Sequence, residues 1–428
     1  MPKILQHLAD PDTLVKRRSE SEELRKKEGR PHQIFYFHEL SDPYSHITAQ
    51  LVSKIEREYE IQLIPLLVGE PPVDTVHEPS LYRKYCHIDA MRIAPFYLCD
   101  FPNDITPDKN IILLAQRILC SLHEEEFISK LSIINNHVWL GNEEALKALI
   151  TDKTVSNEEA SQLISKNEEK RTEVKAYMGS TFSYEGELYW GIDRLNHLED
   201  RLVSLELKIN PEQTFISERK ANHLVEVPKQ SNLKLEFYPS LNSPYTAISV
   251  ERIGELREKY PIEVVTRPVL PMLMRDMRIP SYKARYILSD SAREGSKYGV
   301  PFAKVFSPLG KPAERAYSLF PWVDQKGKGF EYMSSLMISC FRKGENIGKK
   351  SYLKSLIIEL GLNWEEANKH LDSYQWKDIL EKNRLIMYEG YSWGVPTFRL
   401  VDEKDTFTTW GQDRIWLIEE EIIKRLIS

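Results

Sequence analysis

The sequence predicts an α/β protein made of two copies of one unit, and three observations lead to this prediction. Each half opens on an apolar strand, a helix that starts at a proline and a second strand, the pattern of a β-α-β unit. Sequence fragments recur in the same order at a constant separation. Each half also ends on a strand pair followed by a helix. With 428 residues, the chain has the length of two or three domains.

The first half begins with a charged helix predicted over residues 11–28, and its β-α-β unit follows. An apolar strand is predicted over residues 33–37 and a second one over residues 61–67. Pro43, behind the polar Asp42, starts the helix between them, because proline fits the first helical position. A hairpin with Glu185-Gly186 as its turn and a final helix close this half.

The second half repeats this order. Strands are predicted over residues 235–238 and 262–265, with a helix that begins behind the cap Asn242-Ser243-Pro244. A strand pair over residues 397–409 and a helix over residues 414–427 end the chain. A proline at the mouth of a strand, like Pro396, has no donor for the ladder and is expected at an edge or a strand start.

The correspondence between the halves extends to single residues. Tyr44 and Tyr245 are 201 positions apart, and the same separation relates Lys84-Tyr85 to Arg285-Tyr286. The motif Trp190-Gly191-Ile192-Asp193-Arg194 recurs as Trp410-Gly411-Gln412-Asp413-Arg414. So many matches in one order indicate an internal duplication.

The repeat predicts the domain boundaries. We expect a charged helical extension over residues 1–30, a first domain over 31–208, a polar linker over 209–230 and a second domain over 231–428. The duplication also makes an internal pseudo-dimer of the two domains a hypothesis.

Composition excludes several classes of protein. Hydrophobic residues are 41% and the net charge is −6, with scattered basic residues, so we expect no nucleic-acid partner. No apolar run approaches the roughly 18 residues of a membrane span, and residues 1–30 lack the apolar core of a secretory signal. The four cysteines form no C-x-x-C and the histidines no ligand spacing. We expect a cytoplasmic protein with no metal, no membrane contact and reduced, buried cysteines.

With these residues in hand, residues 231–428 resemble the DsbA-like branch of the thioredoxin fold, most closely 2-hydroxychromene-2-carboxylate isomerases and kappa-class glutathione transferases. The expected fold class is therefore α/β, with two tandem thioredoxin-like domains that each carry a DsbA-like helical insertion. The resemblance rests on motifs that follow in the family order: Ser243-Pro244-Tyr245, Arg267-Pro268-Val269-Leu270, Lys283-Ala284-Arg285-Tyr286, Gly299-Val300-Pro301-Phe302, Gly394-Val395-Pro396 and Trp410-Gly411-Gln412-Asp413-Arg414.

The resemblance implies glutathione as cofactor and assigns residues to it. Ser243 would support the glutathione thiolate, consistent with a hydroxyl at a helix N-terminus. Val395 with Pro396 would pair with the cysteinyl backbone, and Asp413 with Gln412 would bind the γ-glutamyl amino group. Purely structural roles for these residues stay open. Ser243 would then be a helix cap, Pro396 a requirement of the fold and Asp413 a cap of the last helix.

Substrate residues are expected around the helical insertion. Lys283 and Arg285 either bind an acidic substrate or pair with carboxylates on a helix surface. Tyr286 and Trp322, with Phe302 and Phe320, are candidates to line a site for an aromatic or apolar electrophile. Tyr245 is expected in the core, and Arg293 is expected to pair with Asp290.

The first half departs from the family pattern at the positions that matter. Asp42 precedes Pro43 where the family has serine, and a carboxylate there would repel a thiolate. Gly179-Ser180-Thr181 stands in place of Val395-Pro396-Thr397. We therefore expect the first domain to be catalytically silent.

Three functions follow from these residues. The first is an enzyme, a glutathione-dependent isomerase or transferase that acts on a small molecule in the second domain. The second is a non-catalytic thioredoxin-like binding or scaffold protein. The third, a DsbA-family oxidoreductase without its own C-x-x-C, is the least favoured, because no local pair of sulfurs exists for exchange.

Overall fold

The computed structural model describes residues 10–102, 106–219, 228–302 and 304–427. Those within Met1–Val15, His77–Tyr85 and Asn222–Ser428 form one compact unit, which we call the C-terminal unit. Those within Lys16–Val76 and Cys86–Ala221 form the N-terminal unit. The domain boundaries expected from the repeat stay a prediction.

The first half of the chain alternates short strands with longer helices. Its elements are α1 Pro11–Lys27, β1 Gln33–His38, α2 Pro43–Glu58, β2 Gln62–Leu67, α3 Pro79–Ile93, α4 Lys109–Cys120, α5 Glu124–Trp139, α6 Glu143–Lys147, α7 Asn157–Glu173, β3 Thr181–Tyr184, β4 Glu187–Trp190 and α8 Ile192–Ser204, with a 3-10 turn at Ala94–Tyr97.

The N-terminal unit is built on a four-stranded sheet in the order β2-β1-β3-β4. Strands β1 and β2 run parallel, whereas β3 and β4 are antiparallel to their neighbours. Tyr36 and Phe182 are cross-strand partners whose rings stack at 4.7 Å between centroids. Both rings are fully buried, so this pair joins two strands that lie far apart in sequence.

Helix α1 packs on the hairpin of this unit through ion pairs. Arg18 Nε lies 2.7 Å from Glu187 Oε1, and Arg30 Nη1, in the loop after the helix, lies 2.6 Å from Glu185 Oε1. None of the residues of α1 is buried. Ion pairs with the hairpin therefore hold this extension against the N-terminal unit. The sequence alone does not predict whether the extension packs on the rest of the protein.

The second half has the same order of strands with more helices between them. Its elements are β5 Lys234–Tyr238, α9 Pro244–Lys259, β6 Glu263–Thr266, α10 Ser281–Lys297, α11 Lys311–Gln325, α12 Gly329–Ile338, α13 Lys350–Glu359, α14 Trp364–Ala367, α15 Trp376–Glu389, β7 Thr397–Val401, β8 Thr406–Trp410 and α16 Ile415–Ile427, with short turns at Met272–Arg275, Ser339–Lys343 and Gln412–Arg414.

The sheet of the C-terminal unit has the matching order β6-β5-β7-β8. Strands β5 and β6 are parallel, and β7 is antiparallel to β5 and β8. Phe237 and Phe398 are cross-strand partners that stack at 5.6 Å, the counterpart of the Tyr36–Phe182 pair. One apolar core joins this sheet to the helices of the insertion.

The predicted fold class is confirmed: a mixed α/β chain with two four-stranded sheets of the same topology. The turn at Glu185-Gly186 is also as predicted, because both residues have positive φ, which a two-residue hairpin turn requires. In the described part of the chain, no helix is both long and apolar enough to cross a membrane.

Candidate functional site

The candidate site of the C-terminal unit begins at Ser243, the N-cap of α9. Its backbone is extended, and its hydroxyl accepts a hydrogen bond from the Thr246 amide at 3.2 Å. The same hydroxyl donates to the carbonyl oxygen of Val395 at 3.4 Å. Ser243 therefore caps the helix, which is the structural role left open above, and it also faces the strand edge at Val395.

Val395 and Pro396 form that edge. The peptide bond between them is cis, Val395 is half-buried and Pro396 is buried. Strand β7 starts directly after them, and the Pro396 carbonyl accepts a hydrogen bond from the Gly411 amide at 2.9 Å. The structure thus brings together three residues that the sequence assigns to the site: Ser243, Val395 and Pro396.

The indole ring of Trp410 packs against this edge. It lies so close to Gly394 that a Cβ on Gly394 would stand 2.6 Å from indole Nε1 and closer still to two ring carbons. Only glycine allows this approach, since real Cβ atoms essentially never come within 3.0 Å of another heavy atom. Gly394 is therefore required for the contact between ring and backbone.

The side chain of Gln412 forms its hydrogen bonds inside the protein. Its side chain is fully buried, and its amide nitrogen donates to Glu294 Oε2 at 2.5 Å and to the Asp413 carboxylate. Its side-chain oxygen accepts from Arg252 Nη1 at 2.8 Å. The structure therefore places the Gln412 side chain among internal partners, and its assignment to the γ-glutamyl group stays a prediction.

Arg252 and Glu294 are the residues that sequence reasoning missed. Arg252 also donates to the Gln412 carbonyl oxygen at 2.9 Å and lies over the ring of Tyr298. A signal existed, since Arg252 shares the apolar stripe of α9 with Ile248 and Leu256. An arginine on such a stripe indicates a partner inside the fold.

Asp413 is half-buried in the short helical turn Gln412–Arg414. The cap of that turn is Gly411, which makes no side-chain capping bond. Asp413 accepts from its neighbour Gln412 instead. Of the two residues expected at the γ-glutamyl end, Asp413 is therefore the one with accessible surface.

Helix α10 carries the predicted cationic candidates in its first two turns. Lys283 and Tyr286 are half-buried, and Arg285 is exposed. Further along α10, Asp290 accepts from the Tyr245 hydroxyl at 2.7 Å and from Arg293 Nη2 at 2.7 Å. The Arg293–Asp290 pair is as expected but buried, and Tyr245 makes a hydrogen bond where simple core packing was expected.

The aromatic candidates of the insertion belong to the core. Trp322, Phe302 and Phe320 all pack in the core cluster, and Trp322 stacks on His370 with 6.0 Å between ring centroids. Trp322 is only 7% exposed. These rings therefore fill the space between helices, and their part in lining a substrate site stays a prediction.

The cysteines are free, and three of the four are buried. Burial raises the pKa of Cys99 and of Cys120 to about 11, and it raises that of Cys340 as well. Thiols of this kind stay protonated at neutral pH and react slowly. Within the described ranges, no group of three or more His, Cys, Asp or Glu side chains is arranged to hold a metal ion.

Comparison with known proteins gives one family match, in the second half of the chain. Residues 234–422 match the family model of the DSBA-like thioredoxin domain. This match lies within the C-terminal unit and includes Ser243, Val395 and Asp413. No match is found among curated proteins.

Solved structures similar to the chain have low sequence identity. A 2-hydroxychromene-2-carboxylate isomerase is 18% identical, with 45% of this chain and 95% of that chain covered and a TM-score of 0.37. A putative protein disulfide isomerase from Nitrosomonas europaea is 17% identical, with 46% and 99% covered and a TM-score of 0.37. The cytosolic disulfide reductase DsbM from Pseudomonas aeruginosa, solved with GSH, is 16% identical, with 45% and 100% covered and a TM-score of 0.32.

The N-terminal unit has different groups at the place that Ser243 and Val395 occupy in the C-terminal unit. Asp42 caps α2 and accepts from the amide of Ser45 at 2.8 Å and from its hydroxyl at 2.8 Å. A Cβ on Gly179 would stand 2.7 Å from Glu39 Cβ and 2.9 Å from Ser45 Oγ. Side chains of the unit itself therefore fill the space beside the strand edge.

Two carboxyl groups in this filled place resist ionisation. Burial raises the pKa of Asp42 to about 6, against the opposing effect of its hydrogen bonds from Ser45 and Tyr44. Burial, and then the charge of Asp42, raise the pKa of Glu39 well above its usual range. Ser180, in the position of the proline, is fully buried with a φ of 52° and bonds the Thr48 hydroxyl at 2.6 Å.

Proposed function

We propose that the protein is a glutathione-dependent isomerase or transferase whose site lies in the DSBA-like domain. The observation that carries the proposal is the position of Ser243, whose hydroxyl caps α9 and faces the Val395 carbonyl at 3.4 Å. A small thiol peptide would bind with its sulfur at that hydroxyl and its backbone along the strand edge.

The thiolate is the part of the proposal with the firmest physical basis. The first amides of α9 and its dipole place positive potential at Ser243, and such potential favours a thiolate over a thiol. The bond from Ser243 to Val395 is long, so the hydroxyl can turn toward a sulfur at little cost. The thiol would release its proton to solvent, and the sulfur would then attack the electrophile.

The peptide part of the ligand would be held by backbone groups. Val395 is half-buried and precedes Pro396, so its backbone is available to the cysteinyl unit of glutathione. Asp413, whose carboxylate is half-buried, would bind the γ-glutamyl amino group by charge. Gln412, which is buried, would contribute by holding Asp413 in place through its own hydrogen bond to that carboxylate.

The electrophile is proposed as a small aromatic or apolar molecule. Lys283 and Tyr286, both half-buried on α10, remain candidates for its contacts, and exposed Arg285 could bind an acidic group on it. Trp322, which is 7% exposed, would contribute only through the small part of its ring that reaches the surface.

The test is the binding of glutathione and the pKa of its bound thiol. Isothermal titration gives the affinity, and the thiolate absorbance of the complex against pH gives the thiol pKa. We expect the pKa to fall by one unit or more in the wild-type complex, and S243A to remove most of that fall.

The matched control is S156A. Ser156 caps α7 and accepts from the Glu159 amide at 3.2 Å, so this variant loses a helix cap far from Ser243 in sequence. It should leave binding and the thiol pKa unchanged. The mechanism is wrong if S243A behaves like S156A.

A non-catalytic binding protein is the second candidate, and one observation favours it. The corresponding place in the N-terminal unit is filled by Glu39, Asp42 and Ser45, so at least one copy has no room for a thiolate. The same titration distinguishes the two functions, because a binding protein would release heat without a shift of the thiol pKa.

Four further expectations belong to this proposal. A DsbA-family oxidoreductase activity is the least favoured function, since burial raises the pKa of Cys99, Cys120 and Cys340. Protonated, buried thiols suit the reducing cytoplasm, where we place the protein. The internal pseudo-dimer and the absence of a nucleic-acid partner stay predictions.

A further inference from the structure

Residues His77–Tyr85 belong to the C-terminal unit, although 148 residues of sequence lie between Tyr85 and Lys234, where the first strand of that unit begins. This stretch, which we call the bracing segment, carries His77, Tyr82 and Tyr85. His77 Nε2 lies 2.8 Å from the carbonyl oxygen of Arg278, and its ring meets the ring of Trp393 edge-on. The bracing segment thus contacts the unit at several points near the candidate site.

Tyr85 makes the most specific of these contacts. It is 4% exposed, and its hydroxyl accepts a hydrogen bond from the Trp410 amide at 2.6 Å. The same hydroxyl donates to the Trp410 carbonyl at 3.2 Å. Because β8 is the edge strand of its sheet, these backbone groups have no strand neighbour on that side, and one tyrosine satisfies both.

Trp410, whose backbone Tyr85 holds, is itself in contact with the candidate site. Its ring lies against Gly394 with no room for a Cβ, and it packs on Trp393 with 5.0 Å between centroids. The next amide, that of Gly411, donates to the Pro396 carbonyl at 2.9 Å. Any shift of Trp410 would therefore move Gly394, Val395 and Pro396 together.

We propose that Tyr85 is a positioning residue for the ligand edge at Val395. It fixes the backbone of Trp410, and the Trp410 ring and the Gly411 amide fix the edge that faces Ser243. This rests on the proposed function, because the edge is the place where the glutathione backbone would pair. It also gives the first half of the chain a role, as the source of the bracing segment.

The test uses the full chain with Y85F, which keeps the ring and removes the two hydrogen bonds between the hydroxyl and the Trp410 backbone. We expect Y85F to bind glutathione about tenfold more weakly, because the edge is no longer held in its binding position. Y260F is the matched control: it loses a tyrosine hydroxyl that bonds Glu419 at 2.8 Å, just beyond the opposite end of α9 from Ser243. It should leave the affinity unchanged.

Amide hydrogen exchange supplies a measurement that needs no ligand. In Y85F, exchange should quicken at Trp410, which loses its acceptor, and also at Gly394, Val395 and Thr397. A purely structural role would quicken Trp410 alone. Y260F should change neither group of amides.

The outcomes separate the two proposals. If wild-type protein binds no glutathione, the proposed function fails, and the exchange rates at Gly394 to Thr397 still decide the role of Tyr85. If glutathione binds and Y85F matches the wild type in affinity, Tyr85 is not a positioning residue. Unchanged exchange at Gly394, Val395 and Thr397 overturns the role in the same way.

Discussion

The hydroxyl of Tyr260 donates to Glu419 Oε1 at 2.8 Å, and the hydroxyl of Tyr59 donates to Glu199 Oε1 at the same distance in the N-terminal unit. The two pairs occupy corresponding places in the repeat: a tyrosine that ends the first helix, and a carboxylate on the last helix. Their surroundings differ. Glu419 also pairs with Lys259, whereas Glu199 is fully buried.

Replacing Glu199 by glutamine should destabilise the N-terminal unit strongly. The buried carboxylate accepts from the amides of Ile216 and Ser217 at 2.8 and 2.9 Å, in addition to Tyr59. A glutamine would turn its NH₂ group toward one of these donors and leave it unpaired. We expect E199Q to lower the free energy of unfolding by about 3 kcal/mol.

The matched variant is E419Q, because the Glu419 side chain is 31% exposed and water can replace its partners. E419Q should lower the free energy of unfolding by less than about 1 kcal/mol. Urea unfolding followed by fluorescence and circular dichroism measures both variants. Equal costs for E199Q and E419Q would contradict the role given to burial.

Replacing Gly394 by alanine should damage the candidate site. The new Cβ would overlap the Trp410 ring, so the ring or the edge at Val395 must move. We expect a loss of about 1–3 kcal/mol in unfolding free energy and of glutathione affinity as well. The control is G254A, inside α9, where a Cβ would meet only Phe330 at 3.9 Å and alanine favours the helix. A G394A variant as stable as G254A would show that the contact is not tight.

Much of the fold could be predicted from the sequence, since its signals are local. Pro43 and Pro244 mark the starts of α2 and α9, and both helices begin at these residues. The hairpin turn at Glu185-Gly186 needs only its two residues. The closing helix differs slightly, because its first turn, Gln412–Arg414, is a 3-10 turn.

The site was only partly predictable, because its remaining contacts join distant residues. The motifs assign Ser243 and Val395 to one site, and the two residues form a hydrogen bond in the structure. Gln412 is buried by Glu294 and Arg252, which lie 118 and 160 positions away. Tyr85 lies 325 positions from Trp410, and no local pattern indicates that pairing.

His46 should make the N-terminal unit sensitive to acid. Burial lowers its pKa to about 4, and that of neighbouring His38 to about 3. A histidine whose folded pKa lies below its unfolded value stabilises fully above about pH 6.5 and less as pH falls toward 4. Between pH 7 and 5, H46Q should therefore lose about 2 kcal/mol less stability than the wild type.

The control for this measurement is H123Q, since His123 is exposed at the start of α5. Unfolding free energies at pH 7, 6 and 5 give the slope for each variant. H123Q should follow the wild type. A slope for H46Q equal to that of H123Q would mean that His46 is protonated in the folded protein.

Asp42 should have the opposite pH dependence, because burial raises its pKa to about 6. A carboxyl whose folded pKa is raised binds its proton more tightly in the native state, so the stability it confers falls as pH rises from about 4 to above 6. D42N removes this loss and keeps a helix cap, since asparagine caps as well as aspartate. Between pH 4.5 and pH 8, we expect the unfolding free energy of D42N to gain about 1–2 kcal/mol relative to that of the wild type.

Asp108, the exposed N-cap of α4, gives the control D108N, which should show no such gain. If D42N and D108N have the same pH profile in urea unfolding, Asp42 is ionised in the folded protein, and the N-terminal unit holds a charge beside Gly179.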